Sequence, residues 1–463
     1  MRDLSHKQRK LVYLGGVLAL MIPVVFLGMP ADAEGNGGYI AERRIEQGLG
    51  EASLGEVDPA SSSANLLLLG FRGIAANMLW MQADEQKTTK QFTELEQSVN
   101  AIIKLQPHYL NVWKFQGWNL AYNVSAEFDS IPDRFEWIKR GTKFLDRGIA
   151  RNERAAELQH DQGDFVGKKI GESDEWRLFR RYFLDDPDDA RFPTGPDPDI
   201  NPDNEDNYEV AKKIYQGAND TEAREDGIRQ RKMARSIFRS YVARAQLDLA
   251  DVMQREGKFD QVDAMKAEWR EGNDIWANDY GKERFYHSIG GGVVLNYEDA
   301  DLEAILAEEN PKRVAAGVPE MTLERKYEVA DQMQKMVNYN YWLRRSALEA
   351  GSDMIEARRL LYSGKRKLLD EQLVDEARED LYAGMELLEG VIKTDENGDL
   401  LLLERDVVED AVKSQIMWRH TLTILGEEVP EEYPLKDIWT AADKQGLIAE
   451  MREKFQNRIG SGG

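Results

Sequence analysis

From Ala64 to Ile459 apolar residues recur at helical spacing along most of the chain, which excludes a sheet-based fold as its main architecture. Thr89–Leu105 places Phe92, Leu95, Val99, Ile102 and Ile103 on one face. After Pro107 a second helix carries Leu110, Trp113, Gly117, Leu120, Ala121 and Val124 on one face and Phe115, Trp118 and Tyr122 on another. A helix apolar on two faces needs cover on both sides, so this one reads as an inner helix of a stack. Ala64–Glu85 before it and Ser130–Arg151 after it follow the same pattern; the four leucines Leu66–Leu69 are followed by Arg72 and Asn77, which argues for a buried helix over a membrane pass.

Helices joined in pairs by short polar turns predict an all-α fold, a degenerate tetratricopeptide-like α-solenoid of antiparallel helix pairs. The most repeat-like piece is Gln246–Trp269, where Leu249, Ala250 and Met253 stand at packing positions and Gly257, Phe259 and Val262 follow the tetratricopeptide turn pattern. Ala357–Ile392 gives another pair with a turn at Asp370–Gln372, and Leu110–Ile149 a third with the longer turn Ser125–Asp133. Leu401–Leu425 and Leu435–Ile459 close the chain. Two segments interrupt the stack. Asp185–Asn207 holds five prolines and nine acids against one arginine, so it reads as an exposed loop. Tyr286–Pro319 contains Gly290-Gly291-Gly292 and a short helix near Ala300–Glu308. The expected division is a basic tip with a membrane segment (1–30), a linker with a short amphipathic helix at Tyr39–Gly48 (31–63), an N-terminal helical-repeat domain (64–184), an acidic connection (185–226), and a C-terminal helical-repeat domain (227–463) with a loop insertion near 286–319.

At the N-terminus Arg2, Lys7, Arg9 and Lys10 precede an uncharged apolar run from Leu11 to Met29. At about 1.5 Å per residue this run spans the hydrocarbon core of a bilayer. The basic flank comes first and Asp32 and Glu34 follow, which under the positive-inside rule exports the body of the chain. Ala31-Asp32-Ala33 offers a signal-peptidase pattern, but the apolar run exceeds the usual signal-peptide length, so the reading is an uncleaved signal anchor. The expected location is the bacterial inner (cytoplasmic) membrane, single-pass, with the bulk of the chain on the periplasmic side.

Lysine and arginine number 61 against 84 aspartates and glutamates, a formal charge of −23. A balance this acidic disfavours nucleic acid and anionic lipid surfaces as partners and favours basic ones. There is no cysteine, hence no disulfide, thiolate metal site or cysteine nucleophile, and no HExxH, P-loop or nucleophile-elbow motif.

The stretch Leu69-Gly70-Phe71-Arg72-Gly73-Ile74-Ala75-Ala76-Asn77-Met78-Leu79-Trp80 resembles the start of a planctomycete-type family of exported, membrane-anchored, tetratricopeptide-like helical proteins. Leu105-Gln106-Pro107, the segment Trp113–Ser125 and Lys169-Ile170-Gly171 share the likeness, which is densest over about residues 39–185. The resemblance implies an N-terminal membrane segment and helical repeats; no activity is assigned to the family, so no catalytic residues carry across.

Several constellations carry possible chemistry. Asp197, Asp199, Asn201 and Asp203 place oxygen side chains at alternate positions, as in a calcium loop, although Pro202 and Tyr208 stand where such a loop needs glycine and a bidentate glutamate. A solvated acidic loop explains them as well, and Asp395–Asp399 reads as a helix-ending turn. Glu283 and His287 fall at i and i+4, the spacing for two metal ligands on one helix face, with packing as the simpler reading. His108 and His420 read as packing histidines. Trp176–Phe183 mixes arginines with aromatics, a pattern for phosphate contact or for arginine stems over apolar surface. Gly290–Gly292 suits a hinge or close backbone crossing better than a phosphate loop, and Trp113, Trp118 and Trp137 suit interhelix core or the lining of a concave face. The function expected is a membrane-tethered exported scaffold for protein–protein interaction, a subunit of an envelope or transport assembly without a cofactor other than a possible calcium ion. The rival is an envelope enzyme that acts on glycan or peptide through paired carboxylates.

Overall fold

A computed structural model describes residues 6–28, 38–39, 43, 72–288, 290–394, 405–444 and 446–460. These residues are mostly helical, as the periodicity predicts. The apolar N-terminal run forms helix α1, His6–Gly28. Its side chains Tyr13, Leu14, Val17, Leu20, Ile22 and Phe26 are exposed. Side chains at 11, 18, 21, 24, 25 and 28 are outside the described set, and among the described residues no helix is long and apolar enough to cross a membrane. Most of the expected linker helix at Tyr39–Gly48, the beginning of the helix at Ala64 and the turn Asp395–Asp399 are also outside the described residues.

The chain divides into two compact units, residues 1–204 with 220–229 and residues 205–219 with 230–463. The expected boundary at 184/185 is displaced because the acidic stretch folds onto the first unit. That unit contains α2 (Arg72–Thr88), α3 (Phe92–Leu105), α4 (Leu110–Trp118), α5 (Ile131–Arg151), α6 (Ala156–Asp164) and α7 (Trp176–Leu184). α4 continues through a π turn, Asn119–Val124, and α6 through another, Phe165–Lys169. Glycines let α4 and α5 approach closely: a methyl group at Gly148 would stand 2.9 Å from Trp113, one at Gly117 2.8 Å from Leu145, and one at Gly141 2.9 Å from Ala121. As the position rises on one helix it falls on the other, so the pair is antiparallel. Trp113, Leu145, Leu95, Val99, Ile102 and Phe165 are buried in the core between the helices.

Most of α8 (Asn207–Ala223) belongs to the second unit, followed by α9 (Arg235–Arg239), α10 (Tyr241–Glu256), α11 (Val262–Asp274) with a π turn Ile275–Tyr280, and a β-hairpin. Then come α12 (Asp299–Ala315), α13 (Leu323–Val337), α14 (Tyr339–Glu349), α15 (Ser352–Arg366) with a π turn Lys367–Glu371, α16 (Val374–Thr394), α17 (Arg405–Leu425), α18 (Lys436–Lys444) and α19 (Leu447–Gly460). Local chemistry sets the ends. Gly257 stops α10 in the left-handed conformation at φ 76°, and the Thr322 hydroxyl caps α13 by accepting from the Arg325 amide at 3.2 Å. The turn read at Asp370–Gln372 is present, with Gln372 left-handed at φ 58°. The closing stretch Leu435–Ile459 is two helices, because Gly446 takes φ 73° and breaks it.

The Gly-rich insertion departs from the expected loop. Strands β1 (Phe285–His287) and β2 (Gly291–Val293) pair antiparallel, with Tyr286 opposite Gly292. Beneath them the fully buried Lys326 ammonium donates to the Gly290 carbonyl at 2.9 Å, the Gly292 carbonyl at 2.7 Å and Glu309 at 2.7 Å. The glycines therefore mark a close crossing around a satisfied buried charge.

α15 and α16 show how the helix pairs close. A methyl group at Gly364 would lie 2.7 Å from Leu381 Cγ, and one at Gly384 2.9 Å from Leu361 Cγ and 3.0 Å from its backbone nitrogen. Both crossings lie within one antiparallel interface. Gly384→Ala should lower stability by up to about 2 kcal/mol, because overpacking costs roughly 1–3 kcal/mol and the alanine's helix propensity returns about 1. Gly390→Ala in the same helix meets nothing within 4 Å and should stabilise by about 0.5–1 kcal/mol. Thermal melts of the two variants side by side check the interface.

Candidate functional site

The sequence-derived metal residues do not converge on one point. Asp197 is buried, 2.8 Å from Lys143 Nζ and 3.4 Å from Lys139 Nζ. Asp199 reaches the same Lys143 ammonium at 2.7 Å, and the Asn201 carboxamide donates to the Phe183 carbonyl at 3.0 Å. Asp203 points to solvent. Two lysine ammonium groups thus stand where a calcium reading places the cation. The acidic stretch is irregular, as expected, and many of its residues are exposed, but it is not loose: buried Lys139 holds Asp186 at 2.6 Å, which draws part of the stretch onto α5. Burial acts against the charge of Lys143, yet Asp197 and Asp199 outweigh it and hold its ammonium above the ordinary lysine range.

The other candidates resolve as packing. Glu283 and His287 share no helix face, since α11 and its π turn end at Tyr280 and His287 lies in β1; Glu283 instead faces Arg235 at 3.3 Å. His108 Nδ1 meets Asn152 at 3.1 Å, and the His420 ring packs edge-on against Phe455. Within α7, Arg180 is buried and Arg177 lies 4.4 Å over Trp176, the stem-covering arrangement. His160, Asp161 and Asp164 bring three potential ligand atoms within 4.8 Å of one another, with Lys168 Nζ 3.5 Å from Asp164 supplying positive charge beside them.

The second unit contains what the motifs did not indicate. Five helices enclose a cavity of about 340 Å³, within the range that takes a ligand or an anchoring side-chain cluster. Leu361, Leu369, Ile416, Met417, Met451 and Phe455 make it apolar. Six cations line it, Arg255 on α10, Arg345 on α14, Arg358 and Lys365 on α15, Lys413 on α17 and Lys454 on α19, against the carboxylates Asp251 and Asp410. Carboxylates of the chain offset much of this charge, since Arg358 pairs with Glu349, Arg345 with Asp251, Lys413 with Glu409 and Lys454 with Glu450.

A buried charge cluster holds that lining in place. Glu349 is fully enclosed; Arg358 donates to it at 2.6 Å and Gln254 at 3.1 Å, and the Arg345 guanidinium lies 3.9 Å away. Arg345 in turn holds Asp251 at 2.7 Å and rests over the Trp342 ring at 5.3 Å. Burial alone raises the Glu349 carboxyl, but the Arg358 and Arg345 charges overcome it and keep it below the ordinary range. The turn after α10 completes the wall. A methyl group at Gly257 would strike Tyr362 at 2.3 Å, and Phe259 packs on the same ring at 5.6 Å between centroids. So the repeat-like turn legible in the sequence is the piece that seats α10 on α15.

Protein-family models, curated proteins and solved structures give no match to this chain, so the site is read from its own geometry.

Because the folded-state pKa of Glu349 is depressed, its contribution is present above the unfolded value near 4.5 and is lost as pH falls below it through the folded pKa. Denaturant melts of the wild type should therefore weaken below about pH 4.5. Glu349→Leu leaves two buried guanidinium groups facing each other and should cost roughly 3–5 kcal/mol at pH 7. A loss below about 1 kcal/mol would show that the cluster does not hold these helices.

Proposed function

We propose that the chain is a membrane-tethered exported scaffold of helical repeats, and that the cation-lined cavity of its second unit seats an acidic segment of a partner protein. The cavity is the observation that carries the reading: an apolar floor ringed by six cations, four of them shared with carboxylates of the chain, suits a segment with an apolar anchor flanked by Asp or Glu that takes part in those pairs. The partner expectation drawn from net charge pointed to basic chains; at this site the local lining favours the opposite sign, while the acidic remainder of the surface repels non-specific acidic chains.

The tether rests on α1. A helix apolar all round needs an apolar environment on every side, and the exposed Leu14, Leu20, Ile22 and Phe26 supply none from the fold itself. Lys7, Arg9 and Lys10 in its first turns, with Arg2 ahead of them, orient the body outward in the bacterial inner membrane, as the resemblance over residues 39–185 also implies. Two-dimensional confinement raises the effective concentration of a partner in the same membrane, as suits a subunit of an envelope assembly.

The test is purification of the tagged full chain from bacterial membranes in mild detergent, followed by sizing and mass spectrometry, for the wild type and for Lys365→Glu/Lys413→Glu. The wild type should carry a stoichiometric acidic companion that the variant loses by about tenfold or more, with helical content unchanged. A lone wild-type peak, or a companion indifferent to the charge reversal, would contradict the reading. Release of the chain from membranes by alkaline carbonate would contradict the tether.

A further inference from the structure

The first unit holds a second cavity, of about 500 Å³, whose chemistry differs from that of the cation-lined one. Its floor includes Gln116, Leu120 and Phe144. Gln116 is only 2% exposed, and its Oε1 has no hydrogen-bond partner among the described residues. The oxygen has almost no accessible surface of its own, so a ligand gains a hydrogen bond from this costly unpaired amide only by turning the carboxamide toward the cavity. Leu120 belongs to the π turn that continues α4, a local irregularity that often accompanies binding sites.

The rim balances charge. Arg140, Lys143 and Arg147 face Glu96, Asp146 and Asp199, so donors and acceptors alternate with no net sign. The Arg140 guanidinium lies 4.5 Å from the Trp137 ring centre, with its Nε donating to Glu136 at 3.2 Å, and the Arg147 guanidinium lies 5.1 Å from the Phe144 ring centre. A guanidinium held over a ring still offers its remaining N–H donors to oxygen acceptors. Asp146 is itself held by a hydrogen bond from Gln162, and Asp199 by Lys143. An ionic ligand of either sign would meet three like charges here. A hydroxyl both donates and accepts, and therefore satisfies carboxylates, guanidinium groups and an amide at once.

We propose that this cavity binds an uncharged sugar residue, its hydroxyls bridging the Gln116 carboxamide at the floor and the alternating charged groups at the rim, and its C–H faces against Leu120 and Phe144. The inference stands apart from the partner groove, because it rests on different residues in the other unit.

The test is titration of the full chain, in a detergent without a sugar headgroup, with N-acetylglucosamine, maltose and cellobiose, and with glutamate and inorganic phosphate as charged comparators. Calorimetry and saturation-transfer NMR read the binding. At least one neutral sugar should bind in about the millimolar range, roughly tenfold or more tighter than either comparator. Gln116→Leu should weaken that sugar by about tenfold or more while keeping or raising Tm, because it removes an unpaired buried amide. Arg147→Gln at the exposed rim should weaken it as well without touching the core. No sugar signal up to about 100 mM, preference for glutamate or phosphate, or unchanged affinity in both variants would overturn the proposal. A Gln116→Leu variant that loses stability would overturn it too, since the amide would then have an internal partner.

Discussion

The buried carboxylate of Glu349 is the point on which the second unit turns. It ends α14, takes its main hydrogen bond from Arg358 of α15 and another from Gln254 of α10, and draws Arg345 in beside it. Two consecutive helices and the distant α10 thus meet at one charge. Desolvation makes any one of these groups unfavourable alone, so the cluster holds only when all are in place. Its consequence is functional as well as structural: two guanidinium groups committed to Glu349, Asp251 and Asp410 form the inner wall of a cavity whose outer rim adds four more cations.

Close helix contact is the complementary constraint. Gly364 and Gly384 let α15 and α16 meet backbone to side chain, and Gly117, Gly141 and Gly148 do the same for α4 and α5. In the first unit this antiparallel pair carries one wall of a cavity, and in the second α15 alone of the pair does so. The π turns at Asn119–Val124 and Lys367–Glu371 occur where those pairs end, and each contributes a cavity residue, Leu120 and Leu369.

The helices were readable because burial on one face imposes a 3.6-residue period: Ser130–Arg151 was expected and Ile131–Arg151 is found. Gly257 is readable because a left-handed helix end favours glycine, and the Asp370–Gln372 turn because it falls between two apolar stripes. The cavity linings were not. Arg255, Arg345, Arg358 and Lys413 come from four helices and look like ordinary solvated charges until the helices pack. Lys139 and Lys326 look the same, yet each is buried against carboxylates far along the chain. The acidic stretch misled for the same reason. Composition shows nine acids, but not the two lysines that neutralise several of them, so a solvated loop with at most a calcium ion is what the sequence alone suggests. The hairpin was hidden because three glycines carry no strand pattern of their own.

The most direct measurement of the central claim is fluorescence anisotropy of the full chain with two labelled peptides of equal length and equal apolar content, one flanked by glutamates and one by lysines, over a range of salt. The account predicts that the acidic peptide binds about tenfold or more tighter, and that its affinity falls as salt rises. Equal binding of the two, preference for the lysine peptide, or affinity indifferent to salt would contradict it.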